Sequence, residues 1–328
     1  MTPPHPAVNA PAFFRDDLPR GQHLVTPVWL AGLQQGQAMP AAPLSHWRLF
    51  EVGCGAPTAF RAGHIAGAGY LDTECLETIP FWNKVDDALL LNYLMACGIA
   101  HDSTVVLYGR PGAAAARAAH LMMVAGVQDV RLLDGGLTAW LNAGQAVASG
   151  EPHRYPPSVS FGCAIPAHPH WLIDLVQTKA LSHDERTTLV SIRTWAEFSG
   201  QTSGYPYIAS PGDIPGARWG HAGVDGDIDS MSDFQNRDGT LKPAHEITAM
   251  WREQGIERHR HTVFYCGTGW RASLAFFYAW VMGWEHIAVF DGGWFEWSSV
   301  YPPLPNHTKV NGPSVACRGG RSGEAESG

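Results

Sequence analysis

A short loop that begins with a cysteine and ends with an arginine carries the residues best suited to chemistry. Cys266 opens the loop, and the residues that follow are Gly267, Thr268, Gly269, Trp270 and Arg271. Glycines allow such a loop to turn tightly, so that successive backbone N–H groups point at one spot and favour an anion there. A cysteine thiolate, or the persulfide formed from it, is such an anion. The loop therefore indicates a nucleophilic cysteine; the alternative is a small buried hydrophobic residue at the end of a strand.

The distance from the cysteine to the arginine distinguishes two chemistries. Cysteine phosphatases form their phosphate cradle with five residues between cysteine and arginine, whereas four residues separate Cys266 from Arg271. A ring of amides that is one residue shorter fits a single sulfur atom better than the oxygens of a phosphate ester. The spacing therefore favours sulfur transfer. We predict Cys266 as the catalytic residue and five substrate-binding residues after it, Gly267, Thr268, Gly269, Trp270 and Arg271.

The segments on either side of this loop have the patterns of a strand and a helix. Residues 261–265 are β-branched and aromatic, which predicts a buried strand, and residues 272–282 are almost uninterruptedly apolar, which predicts a helix. Cys266 then lies in the turn between them, above the N-terminus of the helix, where the partial positive charge of the helix end favours an anion. A strand–loop–helix unit is thus expected to position the cysteine.

The same pattern occurs twice along the chain, which is typical of a duplicated unit. The motif Asp291-Gly292-Gly293 follows the cysteine loop, and Asp134-Gly135-Gly136 repeats it 157 residues earlier. At that offset Gly109 stands in the place of Cys266, so the first copy is predicted to lack the nucleophile. The second copy also contains an insertion at residues 202–210, which we expect to shape the mouth of the active site.

The two copies together resemble a tandem-domain rhodanese, a sulfurtransferase family that includes thiosulfate and 3-mercaptopyruvate sulfurtransferases. The resemblance covers nearly all of residues 21–303 and rests on residues 60–68, on both Asp-Gly-Gly motifs with the tryptophans Trp140 and Trp297, and on the Cys266 loop. It implies an α/β fold with two similar domains, each a mostly parallel sheet flanked by helices on both faces. It also implies an inactive first domain and a catalytic second domain whose loop faces the cleft between them.

Composition indicates the limits of these domains. We expect an N-terminal extension at 1–20, the inactive rhodanese-like domain at 21–150, a linker at 151–164, the catalytic rhodanese domain at 165–303 and a disordered tail at 304–328. The linker contains several prolines, which remove backbone donors and disfavour helix. The tail is rich in glycine and serine and has no apolar periodicity.

The resemblance implies a two-step reaction in which Cys266 takes the outer sulfur of a donor as a persulfide and passes it to an acceptor. Trp270 and Arg271 favour thiosulfate as the donor, because a cation beside the cysteine favours a dianion. The neutral segment 267–269 instead resembles the loop of mercaptopyruvate enzymes. The alternatives are therefore a 3-mercaptopyruvate sulfurtransferase and a non-enzymatic persulfide carrier. An Arg271 paired with a structural carboxylate would remove the preference for thiosulfate.

Two further residues stand at positions that matter in the family. Tandem rhodaneses carry two basic residues after the first strand of the active domain; here Arg193 fills the first place and Glu197 the second. Arg193 is a candidate substrate-binding residue, and an ion pair with a neighbouring carboxylate is an equally good interpretation. His64 resembles a family histidine near the cleft, although a hydrogen-bonded core histidine is the interpretation we favour.

Composition limits the remaining possibilities. A length of 328 residues with 45% hydrophobic content suits two domains, and a net charge of −8 offers no electrostatic basis for nucleic-acid binding. The six cysteines form no Cys-x2-Cys pair, so their spacing supports neither a zinc site nor a dense disulfide framework, and the five besides Cys266 lack its context. We expect no structural metal and no cofactor. No signal peptide or membrane span is evident, which favours the cytoplasm, or the periplasm if a leader has been removed. The expected partners are a small-molecule donor, thiosulfate or mercaptopyruvate, and an acceptor that is cyanide, a thiol or a thioredoxin-like protein.

Overall fold

The structure is a computed structural model that describes residues 13–43, 46–110 and 112–302. The predicted tail at 304–328 and most of the N-terminal extension lie outside the described residues. Within the described part, two separate five-stranded sheets account for most of the strands. No helix there is both long enough and apolar enough to cross a membrane.

The first sheet is built from the first half of the chain. Its five strands, in chain order, are β1 (Leu24–Val25), β2 (Arg48–Gly53), β3 (Gly69–Asp72), β6 (Thr104–Gly109) and β7 (Asp129–Leu133). A small antiparallel hairpin consists of β4 (Glu77–Thr78) and β5 (Asn83–Lys84). The helices are α1 (Pro27–Gln34), α2 (Thr58–Ala62), α3 (Asp87–Ala96), α4 (Gly112–Ala125) and α5 (Gly136–Asn142). All pairings in the sheet are parallel, and the strand order is β1-β7-β6-β2-β3.

The second half of the chain repeats this arrangement. Its strands are β8 (Leu172–Ile173), β9 (Thr187–Ser191), β10 (Arg218–Trp219), β11 (His261–Tyr265) and β12 (Ile287–Phe290). Its helices are α6 (Leu175–Leu181), α7 (Trp195–Phe198), α8 (Ala244–Glu253), α9 (Trp270–Val281) and α10 (Gly293–Val300). The sheet is again parallel, and its order β8-β12-β11-β9-β10 matches the first sheet strand for strand. The predicted fold class, two similar α/β units with mostly parallel sheets, is confirmed.

The alternation of side chains along the central strands explains where the cores form. In β6, Val105 and Leu107 face a large apolar interior that also contains residues of the second sheet, such as Phe264. The intervening residues Val106 and Tyr108 face the outer core with α1 and α5. Because successive strand residues point to opposite faces, each sheet is covered on both sides. The helices α4 and α9 pack together in the shared interior, where the run of alanines in α4 permits close approach.

The chain passes from one sheet to the other through a segment without regular structure. Residues 143–168 form no helix, and their one β-bridge joins Ala148 to His64. Tyr155 holds this segment against the first sheet, since its hydroxyl accepts a hydrogen bond of 3.0 Å from the Leu49 N–H. The segment includes the predicted linker at 151–164, whose limits remain a prediction.

Candidate active site

The cysteine loop joins the central strand of the second sheet to the helix in the shared interior. Cys266 follows β11 directly, and α9 begins at Trp270, two residues earlier than the sequence pattern predicts. Gly269 ends the loop with a φ of +105°, a conformation that favours glycine. Its N–H donates a hydrogen bond of 3.1 Å to the Cys266 Sγ, and the cysteine is 1% exposed. The loop therefore directs a backbone N–H at the sulfur, as an anion-stabilising site requires.

The Asp-Gly-Gly motif and the residues after it support this loop through backbone hydrogen bonds. The N–H groups of Trp294 and Phe295 donate to the carbonyls of Cys266 and Gly267 at 2.8 and 3.0 Å. Gly293 lies so close that a Cβ on it would be 2.6 Å from the Cys266 carbonyl oxygen, and its φ is +55°. Only glycine fits this approach without a shift of the backbone. The repeated motif is thus explained as a support for the loop.

Arg271 does not present its charge to a donor. Its guanidinium donates to both carboxylate oxygens of Glu197 at 2.9 Å and to the Tyr205 hydroxyl at 3.0 Å, and it is 1% exposed. Burial alone would lower the pKa of Arg271, but Tyr205 and Glu197 raise it above its usual value. The interpretation of Arg271 as a free cation facing the donor is therefore wrong, and the preference for thiosulfate loses that support.

Arg193 also has a structural position. Its guanidinium donates to the carbonyls of Gly212 and Ser203 at 2.6 and 3.0 Å and lies 3.6 Å from both Asp213 and Glu197. Of the two interpretations, the ion pair is therefore the one that the structure supports. Glu197 neutralises two buried arginines, which explains why an acid stands where the family pattern has a base. Burial would raise the pKa of Glu197, but the two arginines hold it below its usual value.

His64 is a core residue of the first half. Its Nδ1 lies 2.9 Å from the Phe60 carbonyl oxygen, its ring stacks on the Phe60 ring at 3.8 Å, and the residue is 4% exposed. It does not line the cavity described below. The favoured interpretation of a hydrogen-bonded core histidine agrees with this geometry.

A cavity of about 460 Å³ lies between the two halves, beside the cysteine loop. The second half contributes Thr268 and Trp270 from the loop, so the loop faces this cleft as the resemblance implied. Its walls include Glu51, Cys54, Tyr70, Trp82 and Arg110 from the first half and Tyr205, Tyr207, Asp229, Thr268 and Trp270 from the second half. Among the described residues, no group of three or more His, Cys, Asp or Glu could hold a metal ion.

The insertion of the second copy forms part of this wall. Tyr205 contacts Gly267 and Arg271, and Tyr207 lines the cavity together with Thr268. Burial and the nearby Cys266 raise the pKa of the Tyr207 phenol to about 12, so its hydroxyl keeps its proton at neutral pH. The expectation that residues 202–210 shape the mouth agrees with this placement, although the sequence did not single out the two tyrosines.

The first half supports the loop with a buried ionic network. Arg117 donates to Glu77 at 2.7 Å and to Asp291 of the Asp-Gly-Gly motif at 2.5 Å. Glu77 also accepts a hydrogen bond of 2.8 Å from the Trp270 indole, and the Lys84 N–H donates to Asp291 at 2.9 Å. Arg117 and Glu77 are buried, so the network excludes water from one side of the loop. Sequence analysis missed these residues, because the contacts join positions up to 207 apart.

Comparison with known proteins agrees with this arrangement. The Rhodanese-like domain family matches residues 45–143 and 174–300. Thiosulfate sulfurtransferase YnjE of Escherichia coli (strain K12) is 50% identical over 90% of this chain and 67% of its own length. The crystal structure of YnjE superposes with a TM-score of 0.86, covering 90% of this chain and 70% of that one. The putative thiosulfate sulfurtransferase SseB of Mycobacterium tuberculosis is 31% identical over 85% of this chain and 95% of its own length.

A second group of solved structures is also similar. The anaerobic ergothioneine biosynthesis enzyme from Chlorobium limicola, in complex with its natural substrate trimethyl histidine, is 37% identical with a TM-score of 0.82 and covers 86% of this chain and 69% of that one. A structure of EanB, 36% identical with a TM-score of 0.85 over 90% of this chain and 72% of that one, holds a cysteine persulfide and ergothioneine in a tetrahedral intermediate state. That protein has a tyrosine replaced by phenylalanine 59 residues before the cysteine, and another EanB structure has a threonine replaced by alanine two residues after it.

Proposed function

Since the chain belongs to the rhodanese family, we propose that it is a sulfurtransferase that moves sulfane sulfur from thiosulfate to cyanide or a thiol through a persulfide on Cys266. The observation that carries this proposal is the Cys266 sulfur, which receives the Gly269 N–H in a glycine-rich loop at the start of α9. Thiosulfate as the donor is supported by the names of the relatives, YnjE and SseB. The charge of Arg271 no longer contributes to that choice, because Glu197 neutralises it.

The proposed reaction has two displacement steps. The Cys266 thiolate attacks the outer sulfur of thiosulfate, the sulfur–sulfur bond of the donor breaks, and sulfite leaves with the electron pair. A nucleophilic acceptor then attacks the terminal sulfur of the persulfide and releases the Cys266 thiolate. The Gly269 N–H stabilises the negative sulfur in both steps without reorganisation of the loop.

The proposal is tested by loading the protein with sulfur. After incubation with thiosulfate, we expect the intact mass to increase by one sulfur atom, the increase to map to Cys266, and cyanide or a reductant to reverse it. Cys266→Ser should abolish loading, whereas Cys163→Ser, at an exposed cysteine outside the cavity, should not. Full transfer activity in Cys266→Ser would refute the mechanism.

A comparison of donors distinguishes the alternatives that remain. Rates of loading with thiosulfate and with 3-mercaptopyruvate, measured side by side, identify the donor. A persulfide that forms but turns over only with a partner protein would identify a carrier. Faster loading by mercaptopyruvate would identify the protein as a 3-mercaptopyruvate sulfurtransferase.

A second candidate function is favoured by the positions of Tyr207 and Thr268. Tyr207 lies 59 residues before Cys266 and Thr268 two residues after it, the same spacings as the tyrosine and threonine altered in the EanB structures. Both residues line the cavity beside the cysteine loop. This arrangement suggests an imidazole acceptor such as trimethyl histidine, whose ring C–H would be replaced by the terminal sulfur while the proton passes to the Cys266 sulfur.

This candidate is tested with the persulfide form of the protein. We expect incubation with trimethyl histidine to give a product heavier by one sulfur atom, and Tyr207→Phe to lower that rate by at least tenfold while Cys266 still loads from thiosulfate. Quantitative persulfide with no sulfur in the imidazole product would exclude the second candidate and leave the first intact.

A further inference from the structure

The cavity beside the cysteine loop has an aromatic lining. Trp82 from the first half and Tyr207 and Trp270 from the second half line it. The backbone of Trp82 has a φ of +62°, a conformation that is strained for a bulky residue. Arg117 holds it there by donating to the Trp82 carbonyl at 3.2 Å. A strained residue that is fixed by a buried network is typical of a wall shaped for a ligand.

The charges on the cavity wall do not balance. Three charged residues line it, and two of them, Glu51 and Arg110, form an ion pair of 2.8 Å. The third, Asp229, is solvent-accessible, and no hydrogen bond or ion pair to its carboxylate is found in the described parts of the chain. Burial and the neighbouring Asp227 raise the pKa of Asp229. A cation placed in the cavity would therefore find aromatic faces and one carboxylate without a partner.

We propose that this cavity is an acceptor subsite for a small molecule with a permanent positive charge, a quaternary ammonium group that packs on Trp82, Tyr207 and Trp270 and pairs with Asp229. The proposal rests on the proposed sulfur transfer and names the class of acceptor. Aromatic rings attract such cations through their negative faces, and a nearby carboxylate adds to that attraction. A volume of about 460 Å³ is sufficient for a molecule of this kind.

The subsite is tested by binding, without chemistry, in the Cys266→Ala variant. The probes are trimethyl histidine and a pair of equal shape, choline and its uncharged analogue 3,3-dimethyl-1-butanol, titrated by calorimetry. We expect trimethyl histidine and choline to bind at least tenfold more tightly than the alcohol. Asp229→Asn should weaken the binding of both cations by about fivefold to tenfold and leave the alcohol unchanged.

The matched control is Asp227→Asn, which removes a neighbouring carboxylate that does not line this cavity and should change cation binding less than twofold. Equal affinity for choline and the alcohol would overturn the proposal, as would equal effects of the two substitutions. If the Cys266→Ala variant fails to fold, the same titration of the unaltered protein measures cation binding instead. Because thiosulfate loading of Cys266 is measured separately, failure of the subsite and failure of the proposed function give different results.

Discussion

At the scale of single residues, the site depends on which charges are free and which are paired. Glu197 neutralises both Arg271 and Arg193, so these arginines hold the loop and the Tyr205 segment in place. Cys266 and its loop could be predicted from the sequence because their chemistry is local. The partner of Arg271 could not, because Glu197 lies 74 residues away and meets it only after the second sheet has formed.

This pairing changes the expected effect of Arg271→Leu. The substitution leaves the Glu197 carboxylate buried beside one remaining arginine, so we expect the free energy of unfolding to fall by about 3–5 kcal/mol. In the folded fraction, kcat/KM should decrease by a similar factor for thiosulfate and for 3-mercaptopyruvate, since the side chain shapes the loop. Denaturant unfolding and steady-state kinetics with both donors measure these effects. A loss confined to thiosulfate would show that the charge acts on the donor after all.

At the scale of elements, the repeat in the sequence predicted much of the architecture. The strand patterns and the Asp-Gly-Gly motifs predicted two similar sheets, and Gly109 at the position of Cys266 led us to predict the nucleophile in the second. The apolar pattern predicted that the helix after Cys266 starts at residue 272, whereas α9 begins at Trp270. It begins earlier because Gly269, in its left-handed conformation, already ends the loop. The hairpin of β4 and β5 carries no long apolar pattern, so its contact with the other half could not be predicted.

The two copies of the Asp-Gly-Gly motif provide a matched pair of substitutions. A Cβ on Gly293 would lie 2.6 Å from the Cys266 carbonyl oxygen, and a Cβ on Gly136 would lie 2.5 Å from the Gly109 carbonyl oxygen. Both Gly293→Ala and Gly136→Ala should destabilise the protein by about 1–3 kcal/mol, since both positions have positive φ. Only Gly293→Ala should lower kcat/KM, by at least tenfold, because it moves the cysteine loop. Thermal unfolding and kinetics of both variants test this, and equal losses of activity would contradict it.

At the scale of the whole molecule, each half reaches across to support the motif of the other. The Lys84 N–H donates to Asp291 at 2.9 Å, and the Leu241 N–H donates to Asp134 at 2.8 Å. Lys84 and Leu241 are 157 residues apart, the same offset that relates the two aspartates. The two ends differ in one respect: Arg117 and Glu77 beside the Cys266 loop correspond, at that offset, to the buried residues Leu274 and Phe234.

This difference predicts how a second substitution at Glu77 changes the effect of Arg117→Leu. Arg117→Leu alone leaves two carboxylates without their cation, so we expect it to cost about 3–5 kcal/mol of unfolding free energy. Adding Glu77→Phe, which copies the inactive end, should recover at least 1 kcal/mol of that loss. Activity should stay low in the double variant, because Trp270 has lost its acceptor. Recovery of both stability and activity would show that the network is not required for catalysis.

The end of the molecule that holds Asp134 is expected to have its own pH dependence. Burial raises the pKa of Asp134 to about 7, and the arginine that neutralises its counterpart is replaced by leucine. A carboxyl whose pKa is higher in the folded than in the unfolded protein binds its proton more tightly when folded, so its contribution to stability is present at low pH and decreases as the pH rises from about 4 to about 7. Asp134→Asn should remove that decrease. Chemical denaturation between pH 4 and pH 8 measures it, and parallel profiles for both proteins would contradict the assignment.

The reciprocal hydrogen bonds of Lys84 and Leu241 give the interface between the two halves the symmetry of a dimer interface. When a contact made by one unit is returned by the same contact from the other, the interface is isologous, as in a homodimer with two-fold symmetry. Two similar halves of one continuous chain here take the places of the two subunits of such a dimer. If Cys266 is the nucleophile as proposed, one half supplies it and the other half supplies the far wall of the same cavity.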